Sequence, residues 1–263
     1  MSRRRDASIA ALLLALVATA CTGDASVTGS ASDEISDAPP TTVAPDGESG
    51  DADDPGAIQA RPDDDTGADG VPVFDPDPIV WDEYAEGIDI GVLDAPVDYR
   101  DPNGDRFELF VARHRALDPD QRIGSLVLNR GGPGFGGTLF AINAPQIYDE
   151  AVFEGFDIIG WDPRGVGESE PAIDCIDDFD PYFTAVDSTP ETDEERERMV
   201  GLAANFAQAC VDNNAGIIDH VGTNNSARDI DTIRRALGED TISYFGFSYG
   251  GELGAVWATL FPE

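Results

Sequence analysis

Lysine is absent from these 263 residues: all 16 bases are arginines, against 52 acids, for a formal charge of −36. A chain this short of base is a poor match for nucleic acid, because neutralising phosphates takes clustered Lys and Arg. The missing lysine also argues against a phosphate-cradling P-loop at the glycine-rich stretch Gly131-Gly132-Pro133-Gly134. Nothing physical in the sequence explains why lysine itself is avoided. Histidine is scarce as well, with only His114 and His220 available for proton transfer. The apolar run from Ile9 to Ala20 is too short to cross a bilayer comfortably. No internal repeat is visible, and the Asp-rich segments have no spacing that follows a calcium-binding EF-hand loop.

What is present begins with an address. Arg3, Arg4 and Arg5 followed by that apolar run form a signal-peptide pattern over residues 1–20. Ala18, Thr19 and Ala20 before Cys21 resemble a bacterial lipobox, in which the cysteine is lipidated and holds the chain to a membrane. Ala18 stands where the lipobox prefers leucine, so plain signal cleavage is the alternative. Either way the expectation is an exported protein, secreted or held in the cell envelope. Residues 21–78 are mostly Asp, Gly, Ser, Thr, Pro and Ala, including Asp63-Asp64-Asp65 and Asp75-Pro76-Asp77-Pro78. They offer little apolar surface to offset chain entropy, and they read as an acidic, disordered tether. With Cys21 lipidated, Cys175 and Cys210 remain as an even pair in a compartment that permits disulfides. A bridge between them would stabilise the fold by about 3 to 4 kcal/mol; two buried thiols are the other reading.

Residues 79–263 alternate strand and helix signals, the pattern of an α/β sheet. Strands are expected at Ile90–Val97 and Phe107–Ala116 around the turn Asp101-Pro102-Asn103-Gly104, then at Ser125–Leu128, Phe156–Trp161 and Ile242–Phe245. Helices are expected over an amphipathic Glu191–Val211, over Ser226–Leu237 with Gly238 closing it, and over Glu252–Leu260.

Three motifs sit at strand ends. Gly246-Phe247-Ser248-Tyr249-Gly250 lies between a strand and a helix, the setting in which G-x-S-x-G forms a tight turn with the serine hydroxyl raised above the sheet. Gly246 and Gly250 fit because a side chain at either would collide with the neighbouring strand or helix, and the helix start beneath Ser248 favours a developing negative charge. Gly131-Gly132-Pro133-Gly134 also follows a strand, and its glycines can turn backbone N–H groups into a cavity. The N–H groups of Gly132 and Tyr249 are the expected oxyanion donors, with Pro133 stiffening the loop. Asp162-Pro163-Arg164-Gly165 is expected to be architectural, Asp162 and Arg164 pinning neighbouring loops through charge-assisted hydrogen bonds.

As an ordered set these motifs resemble the α/β-hydrolase fold serine peptidases of the proline iminopeptidase and tripeptidyl aminopeptidase group. The likeness is closer to the secreted actinobacterial branch. It extends to Pro96-Val97-Asp98-Tyr99, Ala227-Arg228-Asp229-Ile230-Asp231 and Arg235-Ala236-Leu237-Gly238, and Cys175 and Cys210 fall where that branch has a pair. The resemblance implies a mostly parallel sheet with flanking helices and an exported aminopeptidase that cleaves peptides through an acyl-enzyme on Ser248. Neither a cofactor nor a metal is implied. The alternatives are an esterase or lipase on small acyl esters, and a non-catalytic envelope lipoprotein that keeps the scaffold for binding. Two departures from that branch stand out, Arg130 in place of a proline and Gly251 in place of a threonine. The family's order is Ser, then Asp, then His, and no histidine follows Ser248. The expectation is therefore a chain truncated before its triad acid, triad base and cap, inactive as it stands, with the Ser248 strand left as an exposed sheet edge.

Overall fold

A computed structural model describes residues 66–184 and 186–262. The signal peptide expected over residues 1–20, Cys21 and the tether as far as residue 65 lie outside the described residues. Among the described residues, no helix is long and apolar enough to cross a membrane.

The framework is a six-stranded sheet formed by β1 (Val80–Ala85), β2 (Ile88–Pro96), β3 (Arg106–His114), β4 (Gly124–Asn129), β5 (Phe156–Trp161) and β6 (Ser243–Gly246), in the spatial order β1-β2-β3-β5-β4-β6. The first three strands form an antiparallel meander, and β3 meets β5 antiparallel. The β5-β4-β6 half is parallel, so the sheet is mixed. Side chains along a strand alternate faces, and in β4 and β5 both faces are buried: Val127 and Ile159 point to one side, Leu128 and Ile158 to the other. That is why these strands read as unbroken apolar runs. On one face, α5 (Thr223–Ala236) and α6 (Tyr249–Leu260) cover a core that includes Phe107, Leu109, Val127, Ile159, Trp161, Ile230, Ile233 and Leu253. On the other, the short helices α1 (Thr138–Ile142), α2 (Ala144–Ile147) and α3 (Glu150–Gly155) pack Ala141, Ala144 and Phe153 against Leu128 and Ile158.

Three expectations change. β1 had no counterpart in the sequence reading; most of its residues are exposed, so its apolar pattern is weak. Residues 66–78, expected to belong to the tether, pack onto the domain instead. Val71 is buried, the Ala68 N–H donates to the Leu260 carbonyl (2.9 Å), and Asp69 pairs with Arg228. Burial opposes the charge on Asp69, but hydrogen bonds from Arg228 and the Val71 N–H outweigh it and hold the carboxyl below its ordinary range. The segment expected as an amphipathic helix over Glu191–Val211 is α4 (Asp193–Asn213), and none of its residues is buried. Its start is secured locally, by a capping box between Thr192 and Glu195. Cys210 on α4 is joined to Cys175 by a disulfide.

Candidate active site

The Ser248 turn is shaped by the backbone around it. β6 ends at Gly246 and α6 begins at Tyr249, leaving Phe247 and Ser248 to reverse the chain. Ser248 takes φ 52° and ψ −123°, the only non-glycine residue with positive φ among the described residues. Such a conformation costs on the order of 1–3 kcal/mol and persists only where the surroundings enforce it. Here they do: the Phe247 N–H donates to the Asn129 carbonyl at 2.9 Å, and the Gly250 N–H returns to the Phe247 carbonyl at 2.7 Å. Ser248 occupies the position that would cap α6, yet its hydroxyl makes no capping bond and its side chain faces solvent.

Gly250 has no room for a side chain, since a β-carbon there would sit 2.6 Å from the Asn129 carbonyl oxygen; Gly246 is closed in the same way by the backbone of Gly250 and Gly251. Gly250→Ala is expected to lower stability by about 1–3 kcal/mol through overpacking against the β4 backbone. Gly251→Ala makes the control, because the nearest atom to its β-carbon is 4.0 Å away. That variant should be neutral or slightly stabilising, since alanine favours helix by about 1 kcal/mol. Urea denaturation of the two variants checks the contrast.

The glycine-rich loop lies directly against this turn. Gly131, Gly132 and Gly134 all have positive φ, at 92°, 112° and 91°. A β-carbon on Gly131 would fall 3.1 Å from the Ser248 β-carbon and 3.3 Å from the Tyr249 nitrogen. The Gly131 N–H is taken by the Asn129 side-chain oxygen at 2.9 Å. Among the described residues, the N–H groups of Gly132 and Tyr249 donate to no protein acceptor. Tyr249 also fixes the start of α6 from its other end, its hydroxyl lying 2.8 Å from the Thr223 hydroxyl at the start of α5. Pro133 follows Gly132 through a cis peptide.

The Asp162–Gly165 turn holds the chain where the segment following this loop enters α1 at Thr138. Asp162 accepts hydrogen bonds from the Thr138 N–H (3.1 Å), the Thr138 hydroxyl (2.9 Å) and the Glu168 N–H (3.0 Å), which ties the start of α1 to the end of β5. Gly165 turns the chain at φ 77°. Arg164 is fully buried and forks onto Asp229 of α5 at 2.8 and 2.5 Å. Its remaining donors reach the carbonyls of Val97, His220 and Pro96 at 3.0, 3.0 and 3.2 Å. Burial alone would lower the Arg164 pKa, but Asp229 outweighs it and raises it, so the guanidinium stays charged. Burial, followed by the Asp229 charge, pushes the Tyr99 phenol well up, so Tyr99 stays neutral and donates to Asp229 at 2.7 Å.

Two residues have roles here that the sequence reading did not assign. Asn129 ends β4 and holds both the loop, through its side chain, and the Ser248 turn, through its carbonyl. An Asx residue closing an apolar strand just before a glycine run was the available signal. Tyr244 donates its hydroxyl to the Gly250 carbonyl at 2.8 Å, and burial, with the nearby Tyr249, pushes its pKa up. No sequence signal announces that bond. Neither histidine hydrogen-bonds Ser248. His114 is buried on β3, with Nδ1 3.1 Å from the Arg115 carbonyl and its ring edge-on to Phe153.

A sharp strand-turn-helix holding an exposed serine beside a glycine loop, on a sheet covered by helices on both faces, defines a class of protein. The chain belongs to the α/β hydrolase fold family, whose profile matches residues 124–263. Among individual proteins it is similar to serine protease Hip1 of Mycobacterium tuberculosis H37Rv, 41% identical over 177 residues that make up 66% of this chain and 33% of that protein. It is also similar to tripeptidyl aminopeptidase of Streptomyces lividans, 36% identical over 197 residues, 70% of this chain and 36% of the relative. Carboxylesterase B of M. tuberculosis H37Rv is 37% identical over 149 residues, 55% of this chain and 28% of that protein. The chain thus spans about a third of the length of the curated relatives it matches.

Proposed function

We propose that this chain carries the nucleophile and oxyanion site of an exported serine aminopeptidase, held to the cell envelope by a lipid on Cys21. The observation that supports it best is Ser248 itself, a strained, solvent-facing serine whose hydroxyl is left uncommitted beside two unused N–H groups. In this reading Ser248 Oγ attacks the scissile carbonyl while a base takes its proton, and the carbonyl oxygen gathers charge between the Gly132 and Tyr249 N–H groups. Collapse of that intermediate breaks the C–N bond, the leaving amine takes the proton, and water releases the acyl group by the same steps. His114 and His220 are not the base, since neither hydrogen-bonds Ser248 and both precede it in the chain. The 263-residue polypeptide alone is accordingly read as inactive. Similarity to proteins named serine protease and tripeptidyl aminopeptidase supports the peptidase assignment.

A second reading, an esterase, is favoured by the similarity to carboxylesterase B and by the fact that one elbow serves both chemistries. Protein solubilised from the membranes of its native source separates the two. Peptides with a free amino terminus should be cleaved with a higher kcat/KM than their N-acetylated forms. Faster turnover of p-nitrophenyl esters with no dependence on a free amine would favour the esterase instead.

A further inference from the structure

Beside the Ser248 turn stands an arginine that the proposed chemistry leaves without a task. Arg130 links Asn129, which holds the turn, to Gly131, which lies against Ser248. Its guanidinium carbon lies 4.9 Å from the ring centre of Phe135 in the glycine loop and 5.2 Å from that of Phe140 on α1. Phe140 in turn meets the ring of Phe247, the residue before Ser248, at 5.7 Å. The cation is therefore held on aromatic faces at the rim of the serine site. Stacking of this kind fixes the plane of the guanidinium without using its N–H donors.

Those donors are unspent. Among the described residues, Arg130 makes no hydrogen bond and no ion pair, whereas Arg113, Arg122, Arg164 and Arg228 each hold a carboxylate. In a chain with a formal charge of −36, a half-buried cation left unclaimed beside a nucleophile is a selective feature. The surrounding acidity repels anions at long range, but at physiological salt that field is screened beyond about 8 Å, so the nearby guanidinium prevails for a group docked on it.

We propose that Arg130 gives the Ser248 site a preference for peptides bearing a carboxylate next to the scissile bond, taken by the guanidinium through paired N–H donors. The inference rests on the reading of Ser248 as a peptide-binding site. Three sources share this chemistry: an acidic side chain on the acyl side, one on the leaving side, and the free carboxyl terminus of a short leaving peptide.

The test is calorimetric titration of Ser248→Ala protein, in which turnover is too slow to disturb the titration, at about 0.15 M salt. The probes are alanine-based peptides with a free amino terminus, in which Asp replaces Asn at each position in turn and the carboxyl terminus is free or amidated. One acidic member should bind about three- to tenfold more tightly than its uncharged counterpart, a range set by a guanidinium only partly shielded from solvent. Its identity tells which source is used. In Arg130→Gln protein that ratio should fall to about one while the affinity of neutral peptides holds. Neutral peptides that bind with no acid preference, or a preference that survives Arg130→Gln, would overturn this inference alone. If no peptide binds and Ser248 of the native protein fails to react with a fluorophosphonate, the hydrolase reading falls with it.

Discussion

Ser248→Ala is expected to reduce peptide turnover by the native protein at least 10³-fold, to about what an oxyanion site alone sustains, while shifting the thermal midpoint by less than about 2 °C. The expectation follows from how little structure the hydroxyl supports. It caps no helix and holds no neighbour, and the φ of 52° is imposed by the Asn129–Phe247 and Phe247–Gly250 hydrogen bonds, which alanine leaves intact. Replacing serine with alanine therefore removes the nucleophile and little else. Activity assays paired with calorimetry check it; a large loss of stability would mean that the hydroxyl is structural.

How much of this site the sequence reveals depends on how local the determinant is. Phe156–Trp161 is legible residue for residue because both of its faces are buried. The Ser248 turn is legible because glycines at both ends of a short motif, between a strand and a helix, leave few other geometries. The sharp turns of the glycine-rich loop are legible for the same reason. What cannot be read is whatever rests on a distant partner. Asp69 looks like one more acid in a tether until Arg228, 159 residues away, takes it. The buried fork between Arg164 and Asp229 joins residues 65 apart and brings α5 to the loop after β5. β1 escapes because its mostly exposed residues carry little apolar pattern. In α4 a disulfide and a capping box stand in for the packing that an apolar stripe would have provided.

That fork sets the second large effect. Arg164→Met is expected to cost about 3–5 kcal/mol, enough to leave a typical domain partly or wholly unfolded at 37 °C. Removing the guanidinium strands the Asp229 carboxylate, with its side chain fully buried and only Tyr99 still donating to it. It also takes the side-chain donor from the carbonyls of Val97 and Pro96, while the His220 carbonyl keeps Asn225. The double variant Arg164→Met with Asp229→Leu should recover part of the loss, because no buried charge then remains unpaired. Guanidinium denaturation of the single and double variants gives the comparison. Equal stability of the Arg164→Met protein and the wild type would show the fork to be dispensable.

In the proposed site Ser248 faces the unused N–H groups of Gly132 and Tyr249. A crystal structure of the native protein after reaction with a fluorophosphonate tests this most directly. The adduct should have phosphorus bonded to Ser248 Oγ, with one phosphonyl oxygen roughly 2.7–3.1 Å from both nitrogens. An adduct on another residue, or a phosphonyl oxygen turned away from the Gly131–Gly134 loop, would contradict it.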